Sequence, residues 1–506
     1  MISRSLALAV PISGILASFA LPPIHILPFL VALSYPIARM LSCQNMRSAF
    51  WVGWGCGLGW FLVSLYWISN AMLTGGSQFY WMIPFAMFFL PSFLAIFWGV
   101  AFALAWRSGT SPAVRWGAVI FWLMVMEWLR AHIFTGFPWQ TPGMVFAMRP
   151  LGIDLGFDLV SVIGVFGCGV VALMLASLPL AIRLDKRLGQ TVLAGLAVLM
   201  VLALAVSGRP LVDHAAKGLT VRMVQPAIPQ QDKWKSELKD QHLAVHLEQS
   251  RALSENGVKP DLIVWGEVSY AGFLEHDWPE LAPDIRAAAA DSAWFVLGGL
   301  RQQKSADQSE YFNSIFLVRP DATIAGVYDK RYLVPWGEYV PLRQVFSFVD
   351  HLAGGVDFSA GSSAVMLSLE RPDGRIVNIA PLICYEVIFP VSTRRAVLGA
   401  DMIINLTNDA WFGDSLGPRQ HLAMAQMRSA ELGVPMVRVA TTGISAVIDG
   451  YGQVTSQINY HSSKWQDAVI SGRTHTLYAQ YGELGFVLLL LFCLGTGIAF
   501  RHRIQI

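Results

Sequence analysis

The chain has 506 residues, 54% of them hydrophobic and 14% charged, with a net charge of +2 and five cysteines. Globular chains carry roughly 25% charged residues, so this shortfall excludes a wholly soluble protein. Near-neutrality gives no electrostatic reason to expect a nucleic-acid partner. The charges are also uneven: residues 1–206 contain four acids, Glu127, Asp154, Asp158 and Asp185, out of 34 in the chain. Residues 1–207 therefore read as a membrane domain, 208–479 as a water-soluble domain and 480–506 as one further span.

A spanning helix needs about 20 apolar residues. Apolar runs predict spans at 5–21, 25–42, 49–72, 80–106, 113–132, 157–181 and 190–206, then at 484–500, giving eight transmembrane helices. The first run, between Arg4 and Ala17-Ser-Phe-Ala20, also fits a cleaved signal peptide. A retained span is expected because the charge alternation works only when this helix is counted. Arg4, Arg39, Arg47, Arg107, Arg115, Arg183, Lys186, Arg187, Arg501 and Arg503 fall in the N-terminus and alternate loops. Positive residues mark the cytoplasmic side, so both termini are expected there and the water-soluble domain on the opposite side. The turn-rich aromatic stretch Phe134-Thr-Gly-Phe-Pro-Trp-Gln140 suits the outer interface. Glu127 and Arg130, three apart on one helix face, are expected to pair with each other.

In the soluble domain the hydrophobic period changes. Strand-sized apolar runs recur at Leu219–Val224, Asp261–Trp265, Trp294–Leu297, Ser314–Val318, Val377–Ile383, Met402–Leu406 and Val434–Ala440. Helical stretches lie between several of them, at Lys233–Ser254, Pro279–Ala290 and Gln420–Glu431. Near-continuous apolar strands have both faces covered, so the domain reads as α/β. In such folds the chemistry gathers at the carboxyl ends of strands. Glu267, Lys330, Cys384 and the pair Asn408–Asp409 all follow apolar runs in this way. Cys384 has no obvious disulfide partner, because Cys43, Cys56, Cys168 and Cys493 lie in or beside long apolar segments. Pro390, Ser392 and Thr393 predict a helix start soon after Cys384, whose N-terminus would favour a thiolate. Taken singly, Glu267 could cap a turn, Lys330 could be a solvated surface lysine and Cys384 a buried structural thiol. His421 stands alone on a predicted helix, where packing or surface exposure is its default role. No cluster of metal-ligating residues is evident.

In combination, Glu267, Lys330 and Cys384 resemble the Glu–Lys–Cys triad of the nitrilase superfamily. The most specific segments are Asp329-Lys-Arg-Tyr-Leu-Val-Pro-Trp-Gly-Glu-Tyr-Val-Pro341, Ile383-Cys-Tyr-Glu386 and Asn405-Leu-Thr-Asn-Asp-Ala-Trp-Phe-Gly413. With apolar helices before and after the domain, the whole chain resembles the membrane-embedded apolipoprotein N-acyltransferases of that superfamily. One departure is Trp265-Gly266-Glu267, where the family usually has Trp-Pro-Glu; glycine loosens the backbone there.

The resemblance implies a polytopic helical domain plus an α-β-β-α sandwich, in a bacterial inner membrane with the catalytic domain periplasmic. It implies acyl transfer from a glycerophospholipid, through a Cys384 thioester, to the α-amino group of an S-diacylglyceryl cysteine at the start of an apolipoprotein. Glu267 would be the general base and Lys330 the oxyanion donor, with no metal or nucleotide cofactor needed. Glu338 and Glu386 would hold Lys330 and keep it charged, with Tyr385 beside the site. Tyr332–Trp336, residues 345–349 and Trp411-Phe412 would be lipid-facing lids that exclude water, with Trp336, Trp411 and Phe412 as lipid contacts. The protein is expected to act as a monomer. A membrane-tethered amidase, passing the thioester to water, and a catalytically dead scaffold or transporter are the alternatives.

Overall fold

The computed structural model describes residues 4–148, 155–206, 210–254, 257–290, 292–304, 309–343 and 357–502. The chain divides into two compact units: Met1–Ser69 with Trp81–Arg209 and Thr476–Ile506, and Asn70–Tyr80 with Pro210–His475.

The first unit is helical. Its elements are α1 (Arg4–Ser18), α2 (Ser34–Leu41), α3 (Met46–Ser64), α4 (Ser69–Gly75, which runs into the second unit), α5 (Leu90–Arg107), α6 (Pro112–Arg130), α7 (Leu155–Leu184) and α8 (Lys186–Val206). Four helical stretches are long and apolar enough to cross a membrane: Phe79–Arg107, Pro112–Arg130, Leu155–Leu184 and Lys186–Val206. A fifth results if the bent pair Met46–Ser64 and Tyr66–Gly75 is one span, and Leu8–Ser18, Leu27–Leu41 and Leu484–Ala499 are apolar but shorter. The chain is thus a membrane protein, with four or five clear spans rather than the eight expected. The difference arises where residues 49–72 form a bent pair and where 5–21, 25–42 and 484–500 form only shorter apolar helices.

Small residues allow close helix packing where no water drives association. A Cβ on Gly59 of α3 would lie 2.0 Å from the Pro11 carbonyl oxygen of α1, and one on Gly14 of α1 would lie 2.0 Å from the Cys56 carbonyl oxygen. Glu127 and Arg130 are buried and paired at 2.5 Å, as their spacing predicts. Trp98 Nε1 also donates to Glu127 Oε1 at 2.8 Å, which completes the carboxylate's partners.

The second unit holds two six-stranded sheets. The first runs β12-β1-β2-β3-β4-β5 and is built from β1 (Thr220–Gln225), β2 (Leu262–Trp265), β3 (Trp294–Lys304), β4 (Ser309–Val318), β5 (Ile324–Asp329) and β12 (Lys464–Val469). The second runs β11-β10-β9-β8-β7-β6, from β6 (Leu367–Glu370), β7 (Ile376–Ile383), β8 (Met402–Thr407), β9 (Met436–Ala440), β10 (Ser445–Ile448) and β11 (Val454–Ile458). The strands β1-β2-β3 and β7-β8-β9 pair in parallel, and the flanking pairs are antiparallel.

Successive side chains on a strand point to opposite faces, and this alternation builds two cores. Leu262 and Val264 join Ile315, Ile379, Ile404 and Val437 between the sheets. Ile263 and Trp265 face outward, where Leu247, Leu274 and Ile285 cover them. Those residues come from α9 (Lys239–Arg251) and α10 (Leu274–Ala289). In the second sheet α11 (Pro390–Val397) connects β7 to β8 and α12 (Gly417–Leu432) connects β8 to β9. A helix–sheet–sheet–helix arrangement results. The chain then continues through α13 (Leu477–Tyr481) and α14 (Leu484–Ala499) in the first unit. The expected helix at Lys233–Ser254 starts later, at Lys239, and residue 233 lies in a turn before it. The expected helix at Pro279–Ala290 starts earlier, at Leu274, with both prolines inside.

Candidate active site

Glu267 follows β2, Lys330 follows β5 and Cys384 follows β7, each next to the last residue of its strand or one turn beyond. The parallel strands β2 and β7 sit inside different sheets, so their carboxyl ends converge at one end of the sandwich. All three side chains are buried: Glu267 is 7% exposed, Lys330 1% and Cys384 8%.

Lys330 Nζ lies 2.9 Å from Glu338 Oε1 and 3.6 Å from Glu267 Oε1. Burial alone would lower its pKa, but the Glu338 and Glu267 carboxylates outweigh burial and hold it above the ordinary lysine value. It is therefore a fixed ammonium. Glu338 Oε2 accepts from the Val334 N–H at 2.8 Å, which ties the carboxylate to its own loop. Asn313, on β4, was not singled out in the sequence, yet its Nδ2 donates to Glu267 Oε1 at 2.7 Å and Glu338 Oε1 at 3.0 Å. Its one legible signal is a polar residue within the apolar run of β4.

Those bonds engage a single oxygen of Glu267. The other, Oε2, is buried and has no hydrogen-bond partner among the described residues. A fixed carboxylate with one unengaged oxygen is ready to accept a proton.

Cys384 adopts φ of +48°, a left-handed conformation that costs an ordinary residue about 1–2 kcal/mol. The chain turns sharply here from β7 into the 3₁₀ turn Cys384–Ile388. Burial, then the Glu267 carboxylate, push the thiol up to about 12, against the opposing pull of Lys330. The thiol is thus protonated at rest. This corrects the expectation of a helix-stabilised thiolate: the predicted helix begins only at Pro390, and burial dominates at the sulfur.

Glu386 departs from expectation. It makes no hydrogen bond to Lys330. Its Oε1 accepts from Tyr328 Oη at 2.8 Å and from the Arg331 and Tyr332 N–H groups at 2.8 and 3.2 Å. Its Oε2 accepts from the Ile383 N–H at 2.7 Å. Glu386 therefore staples the chain flanking Lys330 to the chain preceding Cys384. It holds Lys330 through backbone geometry, while Glu338 supplies the direct counter-charge.

His421 is also corrected. It is fully buried, and its two ring nitrogens lie 2.9 Å from Asp409 Oδ1 and 3.2 Å from the Cys384 carbonyl oxygen. Arg438 Nη2 donates to Asp409 at 2.8 Å. The pair supports the turn that carries the nucleophile. The sequence could not show this, because the partners lie 12 and 37 positions from His421.

Tyr385 is buried, its ring edge-on to Phe389 at 5.0 Å. Tyr332 stacks on Phe389 at 4.9 Å and its hydroxyl bonds Ser392, so this part of the expected lid is packed. Trp336 is half-buried with φ of +65°, its N–H donating to the Tyr339 carbonyl at 2.8 Å. Trp411 and Phe412 are half-buried on the turn after β8, where Phe412 is edge-on to His421 at 5.6 Å. The expected lid segment 345–349 lies outside the described residues.

Two close approaches fix Glu267. A Cβ on Gly298 would lie 2.8 Å from Glu267 Cα and 2.6 Å from the Gly266 carbonyl oxygen. A Cβ on Gly266 would lie 2.9 Å from Thr441 Cγ2 and 3.2 Å from the Thr441 nitrogen. Glycine at 266 is thus set by the neighbouring end of β9.

A buried carboxylate, ammonium and thiol stand at the strand ends of a two-sheet sandwich, and residues 220–473 match the carbon-nitrogen hydrolase family. Residues 13–178 match the apolipoprotein N-acyltransferase N-terminal domain. The apolipoprotein N-acyltransferase of Rhizobium rhizogenes is 37% identical over 84% of this chain and 80% of its own length. That of Agrobacterium fabrum is 33% identical over 97% of this chain and 96% of its own, and that of Rickettsia prowazekii 30% identical over 95% of each. The chain belongs to the apolipoprotein N-acyltransferase family, as the motifs around the triad imply.

Proposed function

We propose that the protein transfers an acyl chain from a glycerophospholipid to the α-amino group of the S-diacylglyceryl cysteine of an apolipoprotein. Glu267 takes the Cys384 proton as the sulfur attacks the ester carbonyl, because the thiol is protonated at rest. The C–S bond forms, and Lys330 stabilises the developing oxyanion. The ester C–O bond breaks, and the lysophospholipid leaves with the proton from Glu267. In the second half, the amine attacks the thioester carbonyl and Glu267 accepts the nitrogen's proton. The C–N bond forms, the C–S bond breaks and the sulfur recovers its proton.

The observation that carries this reading is Glu267: one oxygen is held by Asn313, the other is unengaged, and Lys330 stands 3.6 Å away. Trp336, Trp411 and Phe412 serve as lipid contacts around the site, with Tyr385 lining it. The membrane part comprises eight spans: the four long ones, the bent pair and the three shorter apolar helices occupy the eight runs read from the sequence. Both termini face the cytoplasm of a bacterial inner membrane, the domain 208–479 lies in the periplasm, and the enzyme acts as a monomer.

The test uses purified protein and a phospholipid carrying a labelled acyl chain. The expected result is a labelled thioester at Cys384 that moves to a diacylglyceryl lipopeptide amine. Label released only as free fatty acid would reject transfer in favour of hydrolysis.

A further inference from the structure

A second ammonium is buried beside the base, and the mechanism above leaves it unused. Lys233 lies in the turn before α9, is 8% exposed, and donates through Nζ to the backbone carbonyl of Glu267 at 3.1 Å. Among the described residues no carboxylate pairs with it as Glu338 pairs with Lys330. Burying an ammonium without such a partner costs several kcal/mol, so its position calls for a physical reason.

The charge inventory supplies one. Lys330 sits between two carboxylates and is nearer Glu338, at 2.9 Å, than Glu267, at 3.6 Å. One ammonium leaves two buried carboxylates with a net negative charge, which a second ammonium offsets. With Lys233 the site holds two carboxylates and two ammoniums. Burial pulls Lys233 down to about 8, while the Glu267 carboxylate pulls the other way.

The remaining groups facing Lys233 do not supply a competing charge near neutrality. It shares a cavity of about 20 Å³ with Lys239, His242, His246, Tyr270 and Thr441. Burial lowers His246 to about 4 and lowers His242 as well, so both rings are neutral. Lys239 is engaged by Asp277 at 2.8 Å, and burial raises Tyr270, which donates to the same carboxylate.

We propose that Lys233 is a positioning residue of this reaction, the second counter-charge of the general base, which keeps Glu267 ionised when lipid displaces water from the site. The inference rests on the acyl-transfer reading and adds a residue to it.

The test is single-turnover acylation of Cys384 in the full-length enzyme, using phospholipid with a labelled acyl chain, followed across pH in wild type, Lys233→Gln, Lys233→Met and Lys233→Arg. Removing a nearby positive charge disfavours the carboxylate, so the acid limb should move to higher pH in the Gln and Met variants. A shift of about one unit makes them about tenfold slower on the acid side, with rates approaching wild type at higher pH. Gln keeps a donor for the Glu267 carbonyl and loses only the charge, so it carries the same expectation if Met does not fold. Arg keeps the positive charge and should keep the acid limb of wild type. A folded Gln variant whose acid limb coincides with wild type overturns the inference, as does equal slowing of Gln and Arg at every pH. If wild type itself forms no thioester, the acyl-transfer reading fails first and takes this inference with it.

Discussion

At the residue scale, the site separates groups by what their surroundings make of them. Lys330 stays charged because two carboxylates outweigh its burial, whereas Cys384 stays protonated because burial and a carboxylate outweigh one lysine. Reaction with iodoacetamide checks the second statement. Since the thiolate is the nucleophile, the rate at Cys384 should rise about tenfold per pH unit through neutral and mildly alkaline pH, without levelling, as expected for a thiol pushed up to about 12. A plateau near neutrality would mean that a thiolate already exists at rest. Lys330→Ala should slow acylation by about 10²–10³-fold, the usual loss for one oxyanion donor, read as thioester formation in a single turnover. An unchanged rate would assign the oxyanion to another donor. The grouping of Glu267, Lys330 and Cys384 was legible because each follows an apolar run. Asn313, His421 and Lys233 were not, because their importance lies in partners 25 to 46 positions away for Asn313, 12 and 37 for His421 and 34 for Lys233. No local pattern connects such positions.

At the element scale, the strands that sequence reading recovered, β1, β2, β7, β8 and β9 among them, are mostly buried. Those it missed are β6, β10, β11 and β12, of which β10 is buried but only four residues long. The edge strands β6 and β11 alternate between buried and exposed positions, and β12 is largely half-buried. One solvated face breaks up the apolar run that signals a covered strand. Gly266 was legible as a departure from the family pattern, but its cause was not, because Thr441 lies on a distant strand end. Looseness is the wrong account of this glycine: the space for a side chain is filled. Thr441 cannot readily yield, since its hydroxyl donates to Asn408 Oδ1 at 2.7 Å. Gly266→Ala should therefore displace Glu267 and slow acylation. Gly266→Ala combined with Thr441→Ser, which removes the obstructing methyl and keeps the hydroxyl, should recover most of the rate. If the single variant matches wild type, or the serine restores nothing, the 2.9 Å approach does not govern the base.

At the scale of the whole molecule, the reaction requires lipid donors and a lipoprotein amine to meet one thiol on one side of a membrane. Composition showed where membrane helices give way to a sheet domain, since the acids are concentrated after residue 206. The span count was less legible, because hydropathy alone does not show where a run breaks into a short or bent helix, as at Met46–Ser64 and Tyr66–Gly75, which meet at 53°. Orientation rests on the positive loops, and two exposed positions test it. Asp373 lies on the turn between β6 and β7, and Lys186 opens α8 beside Arg183 and Arg187; both side chains are solvent-exposed. The native cysteines are buried apart from Cys43, which is half-buried, so wild type sets the labelling background. In intact spheroplasts, a membrane-impermeant maleimide should label Asp373→Cys above that background. Lys186→Cys should react only after the membrane is opened. The reverse pattern would put the thiol on the cytoplasmic side and remove the topological basis for its access to lipoproteins across the membrane. Labelling of both positions in intact cells would show a charge asymmetry too weak to set one orientation, against the rule that Lys and Arg loops remain inside.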